Sequence, residues 1–88
     1  PRRTLAFFLW ALVARTERDP ILLTRDRQRY SFSPVPDVAV EEPWFDAVLG
    51  VVEREIMDLP DGVNFRPDGE VSGLEYLSVL QRLQRLYR

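Results

Sequence analysis

A chain of 88 residues with a 45% apolar share is enough for one domain with a single modest core. All 12 basic residues are arginines, and the lack of lysine, histidine and cysteine excludes imidazole, thiolate and Schiff-base catalysis and zinc sites built on cysteine or histidine. The net charge is −2, divided into basic ends and an acidic middle. We therefore expect a protein that is not an enzyme, needs no cofactor and acts by contact.

The first helix is predicted from Thr4 to Arg18, because leucine and alanine favour helix and no proline or glycine interrupts this segment. Its apolar run, Leu5–Ala14, is too short to cross a bilayer, which needs about 20 residues, so we expect no membrane contact. The run is apolar on every side of the helix and must be covered on every side. One small domain supplies that cover with difficulty, which indicates a protein partner or a homodimer formed through this helix.

The next segment predicts an antiparallel hairpin that turns near Asp26-Arg27. Its first strand is Ile21–Thr24, and the second, Arg29–Ser33, places Tyr30 and Phe32 on one face.

A second helix is predicted to begin at Pro43, whose missing N–H costs nothing at a first helical position. Gly50 inside this helix costs about 1 kcal/mol relative to alanine, so we expect another group to pack closely against it. Apolar residues recur at three- and four-residue steps and form one stripe: Phe45, Val48, Leu49, Val52, Ile56 and Leu59.

A turn signal at Arg66–Gly69 predicts a second, short hairpin between Val63–Phe65 and Glu70-Val71. Ser72–Glu75 has the sequence of a capping box and predicts the start of a last helix that runs to the end of the chain. The order α-ββ-α-ββ-α predicts a single α+β domain over residues 1–88, with about four antiparallel strands and the helices packed on one face.

The first functional hypothesis is a non-enzymatic interaction module that regulates or adapts a larger protein. Trp44 lies off the apolar stripe and is either an exposed anchor or a core residue; as an anchor it would form a protein-binding patch with Glu41, Glu42 and Asp46. The acids in 37–46 suit a partner with a basic surface, such as a nucleic-acid-processing enzyme like a polymerase. A role in transcription regulation follows from that partner class.

The alternative hypothesis is a small nucleic-acid-binding protein that uses the first hairpin. Arginines next to an aromatic ring suit phosphate contacts and base stacking, although the sequence pI of 5.1 is low for this class. The residues that would bind nucleic acid are Arg25, Arg27, Arg29, Tyr30, Arg82 and Arg85.

A weaker third hypothesis is a metal-dependent hydrolase built on clustered acids, namely Glu41, Glu42 and Asp46, with Glu53, Asp58 and Asp61. Acids at these positions also have ordinary structural roles at helix starts and in turns, so we assign no catalytic or metal-binding residue.

The composition also bears on the source of the chain. Most arginine codons are G/C-rich and lysine codons are A-rich, so a basic set made of arginine alone indicates a bacterial or phage genome of high GC content. The lack of cysteine fits a reducing compartment, and we expect the protein in the cytoplasm.

Overall fold

The computed structural model describes residues 1–87, and this part of the chain contains helices but no strand. The predicted α+β fold with a four-stranded antiparallel sheet is therefore wrong. The helices in chain order are α1 (Arg2–Glu17), a one-turn 3₁₀ helix (Pro20–Leu23), α2 (Arg25–Arg29), α3 (Phe45–Glu53) and α4 (Gly73–Leu86).

The core lies between α1 and α3, where the two helices pack most closely at Trp10 and Gly50. The Trp10 side chain is 1% exposed and donates its indole N–H to the carbonyl of Leu22 at 2.7 Å, which ties the 3₁₀ helix to α1. A Cβ atom on Gly50 would lie 2.4 Å from the nearest atom of the Trp10 ring. The close packing predicted at Gly50 is confirmed, since no larger residue leaves room for the indole.

α3 is shorter than predicted: it ends at Glu53 instead of continuing to Leu59. Glu55 adopts a left-handed conformation with φ 59°, and Ile56 N–H donates to Val51 O at 2.8 Å, which closes the helix in a Schellman-type turn. Ile56 is buried although it lies outside the helix. The apolar stripe therefore continues into the core after the helical backbone has stopped.

The first predicted hairpin is replaced by two short helices. The Asp19 side chain accepts a hydrogen bond from Ile21 N–H at 3.3 Å, and Pro20 opens the 3₁₀ helix. The segment Arg25–Arg29, which was predicted to hold the turn and the first residue of the second strand, consists mostly of good helix formers and forms α2. Tyr30 packs against the core but Phe32 is 87% exposed, so the two residues that suggested a strand do not share a buried face.

The second predicted hairpin contains its turn but not its strands. Gly69 N–H donates to Arg66 O at 2.9 Å, as the turn signal requires. The carbonyls of Gly69 and Pro67 accept from the backbone N–H groups of Arg2 and Arg3, at 2.8 and 2.9 Å. The start of α1 therefore binds the polar backbone groups that a strand ladder would have used.

Asp37 also takes the place of a neighbouring strand, because it binds backbone N–H groups at the start of the turn. Its carboxylate accepts from Phe65 N–H at 2.9 Å and from Arg66 N–H at 2.7 Å. A buried backbone donor needs a partner, and a side chain serves as well as a neighbouring strand. Phe65 can therefore bury its ring completely without belonging to a sheet.

Arg2 is the main polar connection between the start of α1 and the rest of the chain. It is 3% exposed, and its guanidinium donates to Phe65 O and Asp58 O, both at 2.8 Å, and to the carboxylate of Glu75. The guanidinium carbon also lies 4.7 Å from the centre of the Phe65 ring.

α4 begins as predicted and is attached to the rest of the fold by few residues. The Ser72 hydroxyl accepts from Glu75 N–H at 3.0 Å, as predicted, while the Glu75 carboxylate pairs with Arg2 instead of reaching back to the cap. Val79 is the only α4 residue that is fully buried among those described. Arg82 forms a bidentate pair with Asp58, with both N–O distances at 2.9 Å.

The C-terminal end of α4 is joined to the end of α1 by Tyr87 and Glu17. The Tyr87 hydroxyl donates to Glu17 Oε2 at 2.7 Å, and Arg54 pairs with the same carboxylate. Burial raises the pKa of Tyr87 to about 12, and the hydrogen bond to Glu17 and its negative charge act in the same direction. The hydrogen bond from Tyr87 is also the main cause that lowers the pKa of Glu17.

This contact predicts a loss of stability in strongly alkaline solution. The folded-state pKa of Tyr87 lies above the ordinary value of 10.0, so its contribution to stability is complete below pH 10 and is lost as the pH rises through about 12. An ultraviolet titration of the native protein should show one phenol with a pKa of about 12. Glu17→Gln should lower that pKa and Tyr87→Phe should remove the transition, whereas Tyr76→Phe should leave it unchanged.

Candidate functional site

α1 has an apolar side that faces away from the core. Phe7 is 55% exposed, Phe8 64% and Leu12 39%, while Ala6, Leu9 and Val13 on the opposite side are buried. Because side chains repeat every 3.6 residues along a helix, Phe7, Phe8, Ala11 and Leu12 form one continuous surface, here called the outer α1 face. Large exposed aromatic side chains grouped in this way are typical of interaction sites.

The outer α1 face is concave because Ala11 is small and its neighbours are large. Ala11 borders three adjoining depressions of about 340, 420 and 250 Å³. Phe7 separates the first two and Phe8 separates the second from the third. Leu23 of the 3₁₀ helix extends the apolar lining on one side. The face can therefore receive several protruding side chains at once.

Trp44 lies at the edge of this face and is half-buried. It lines the middle depression, and the guanidinium carbon of Arg3 is 5.2 Å from the centre of its ring. Its indole N–H is covered and has no hydrogen-bond acceptor among residues 1–87. The sequence left open whether Trp44 is an exposed anchor or a core residue. Trp44 lies between these two alternatives, as part of the wall of a surface depression.

The acids expected to surround Trp44 do not share one surface. Glu41 is exposed and Glu42 is half-buried, but Asp46 is 1% exposed and its Oδ1 accepts from Arg27 N–H at 2.9 Å. The Asp46 carboxylate also pairs with the Arg27 guanidinium. Asp46 is therefore a structural partner of α2 and offers nothing to an external protein.

The arginines proposed for nucleic-acid binding lie on helices, and the hairpin that would have presented them is absent from the described chain. Most of them contact acids of their own fold, so much of their charge is already neutralised. Tyr30 packs edge-on against Phe45, with ring centres 6.2 Å apart, and donates to Glu53 at 3.2 Å. The ion pairs of these arginines are Arg25 with Glu53, Arg27 with Asp46, Arg29 with Asp26 and Glu53, and Arg82 with Asp58. Arg85 is exposed.

Asp26 is a fully buried carboxylate between α2 and α3 that sequence reasoning did not single out. Arg29 Nη1 lies 3.0 Å from its Oδ1, but the approach is not aligned for a hydrogen bond, and neither carboxylate oxygen has one among the described residues. Burial raises the pKa of Asp26, and the nearby charge of Glu53 adds to the effect. Asp26 lines none of the surface depressions beside α1 and α4, so it is not a site open to a ligand. Its burial instead lowers the stability of the folded state.

Four of the six acids considered for metal binding have other partners within the fold, namely Asp46, Glu53, Asp58 and Asp61. Asp61 accepts from the backbone N–H groups of Val63 and Asn64, and Asp58 is held by Arg82. Within residues 1–87 no three acidic side chains form a group that could hold a metal ion.

A depression of about 750 Å³, larger than those beside Ala11, lies between α4 and the segment that follows α3. It is lined by both apolar and charged side chains, and three of its four charged groups are paired within the fold, Asp58 with Arg82 and Glu75 with Arg2. Glu55 is exposed and has no ion pair among residues 1–87, and the depression lacks the exposed aromatic side chains of the outer α1 face.

Sequence reasoning predicted that the first helix needs more cover than one small domain provides, but it did not find which side lacks that cover. The signal was a helix apolar on all sides, and the structure shows that Phe7 and Phe8 lie on the uncovered side.

Within the described chain, no helix combines the length and apolar character needed to span a membrane. The chain matches no protein-family model, and no curated protein or solved structure matches it.

Proposed function

We propose that this protein is a non-enzymatic interaction module that regulates or adapts a larger protein by docking through the outer α1 face. One observation carries the proposal: Phe7 and Phe8 are more than half exposed on a helix whose opposite side forms the core. Exposed apolar surface is costly in water, and a contiguous aromatic patch is the usual sign of a protein contact.

The chemistry of the surface supports binding in preference to catalysis. The depressions beside Ala11 are lined mainly by apolar and aromatic side chains. The acid among their lining residues, Asp46, is engaged by Arg27. Aromatic side chains and arginine are the residue types that contribute most to interface energies, and both occur here.

The proposal predicts that Phe8→Ser separates binding from stability. We expect the melting temperature to stay within a few degrees of wild type, because a side chain that is 64% exposed contributes little to folding. Recovery of the partner in affinity purification from the source cell should fall at least about tenfold, as expected for truncation of an interface hot spot.

Leu77→Ser is the matched control, because Leu77 is a large apolar residue of α4 that is 55% exposed. It should retain the partner that Phe8→Ser loses. If both variants recover the same proteins as wild type in the same amounts, the outer α1 face is not the docking surface. A large fall in melting temperature for Phe8→Ser would show that this ring belongs to the core.

A further inference from the structure

We infer that the outer α1 face binds an amphipathic helix of a partner protein whose polar side is acidic. This inference rests on the proposed function and specifies the partner. It follows from the size of the apolar centre, the shape of the depressions and the charges that surround them.

The apolar centre is small for a protein interface. Aromatic side chains bury about 150–250 Å² each, so Phe7 and Phe8, at 55% and 64% exposed, together offer roughly 200 Å². A standard interface buries about 800 Å² per partner. Contacts around the apolar centre must therefore contribute to any stable complex, and their charge decides which partners fit.

The surroundings of this face are basic. Arg3, Arg15 and Arg27 line the three depressions, and Asp46 is the acid among the lining residues. Arg27 pairs with Asp46 and Arg3 pairs with the exposed Asp68, which leaves Arg15 as the charge without a partner among residues 1–87. Arg15 lies one helical turn beyond Ala11 on the same side of α1, and it is exposed with no ion pair in the described part of the chain. An acidic partner would neutralise this charge, whereas a basic one would be repelled.

The shape of the face suits a helix. The depressions adjoin one another along α1 around Ala11, with Phe7 and Phe8 as the walls between them. Apolar side chains spaced three, four and seven residues apart on a docked helix enter adjoining depressions of this kind.

A second copy of this chain is a poorer occupant. Its own outer α1 face would bring a second Arg15, unpaired among the described residues, while the one acid of α1, Glu17, is held by Arg54 and Tyr87. Self-association would therefore leave the added positive charge without a partner. The complementary chemistry has to come from another protein.

The inference can be tested by selecting binders from a displayed library of random peptides against the full chain. Binders that lose affinity for Phe8→Ser should be enriched in acidic residues relative to the starting library and should carry large apolar residues at helical spacing. Arg15→Glu should weaken these peptides roughly five- to tenfold, since it replaces an attraction with a repulsion. Arg85→Glu makes the same charge change at an exposed position of α4 and should leave their affinity unchanged.

Three outcomes would overturn the inference. Phe8-dependent binders that are neutral or basic, or that bind Arg15→Glu as well as wild type, would refute the acidic helix but leave the proposed function standing. A selection without any Phe8-dependent binder would show that the face does not accept a helix. A dimer in light scattering that Phe8→Ser dissociates would show that the face is occupied by a second copy.

Discussion

Gly50→Ala is expected to lower the free energy of unfolding by about 3 kcal/mol, an effect at the upper end for an added methyl group in a packed core. The new Cβ would lie 2.4 Å from the Trp10 ring, far inside van der Waals contact. The indole has no easy alternative position, because it is buried and its N–H is bonded to Leu22 O. The strain must therefore be relieved by moving α1 away from α3, which opens the core.

Gly73→Ala is the matched control for this variant. Gly73 also lies in a helix, but a Cβ there meets nothing within 4 Å. We expect it to be neutral or to stabilise by about 0.5–1 kcal/mol, because alanine loses less backbone entropy on folding. Denaturant unfolding of the two variants measures the difference, and equal stabilities would contradict the packing described for Trp10.

Arg2→Met is expected to cost about 3 kcal/mol, although it keeps most of the apolar length of the side chain. The substitution leaves Phe65 O and Asp58 O without their donor and Glu75 without its cation. Arg2 is the donor to each of these three acceptors, and within residues 1–87 the segments that contain them supply no other donor. The loss should appear as a lower midpoint in denaturant unfolding.

Two further variants separate the role of Arg2 from a general effect of charge. Arg3→Met removes the neighbouring arginine, whose ion pair with Asp68 is exposed, and should cost at most about 1 kcal/mol. Glu75→Gln removes the partner charge while keeping the two carbonyl contacts, and should cost less than Arg2→Met. If Arg2→Met and Arg3→Met are equally stable, the buried guanidinium of Arg2 does not hold α1 to α4 and to the segments that contain Asp58 and Phe65.

The local features of the fold could be predicted because their causes are close neighbours in the chain. The Ser72 hydroxyl reaches the N–H of Glu75, three residues further on, and the turn at 66–69 needs only its own four residues. The same holds for the presence of the α1 and α3 segments, which follow from helix-forming composition and apolar spacing. A close neighbour for Gly50 was predicted from the energetic cost of glycine in a helix.

The strands were predicted wrongly because the hydrogen-bond partners of those segments are distant in the chain. The N–H of Phe65 is bonded to Asp37, 28 residues earlier, and the carbonyl of Gly69 is bonded to Arg2. Alternating side chains indicate a strand only if a neighbouring strand is available. Here a carboxylate and a helix start satisfy the same backbone groups.

The candidate site depended on tertiary structure in the same way. A helix that is apolar on every side does not reveal which side becomes the core. That choice is made where Trp10 packs onto Gly50, because this contact sets the rotation of α1 and leaves Phe7 and Phe8 outward. Likewise, Asp46 resembles any surface acid until the position of Arg27 is known.

Composition thus determines that the chain has no imidazole, thiol or amine side chain. Local sequence pattern accounts for most of the helical segments, for the cap at Ser72 and for the turn at 66–69. Long-range contacts decided the all-helical fold, the burial of Arg2 and Asp46 and the exposure of the outer α1 face. The physical reason is that propensity, capping and turn formation act within a few residues. Burial and charge pairing depend on which distant residues become neighbours in space.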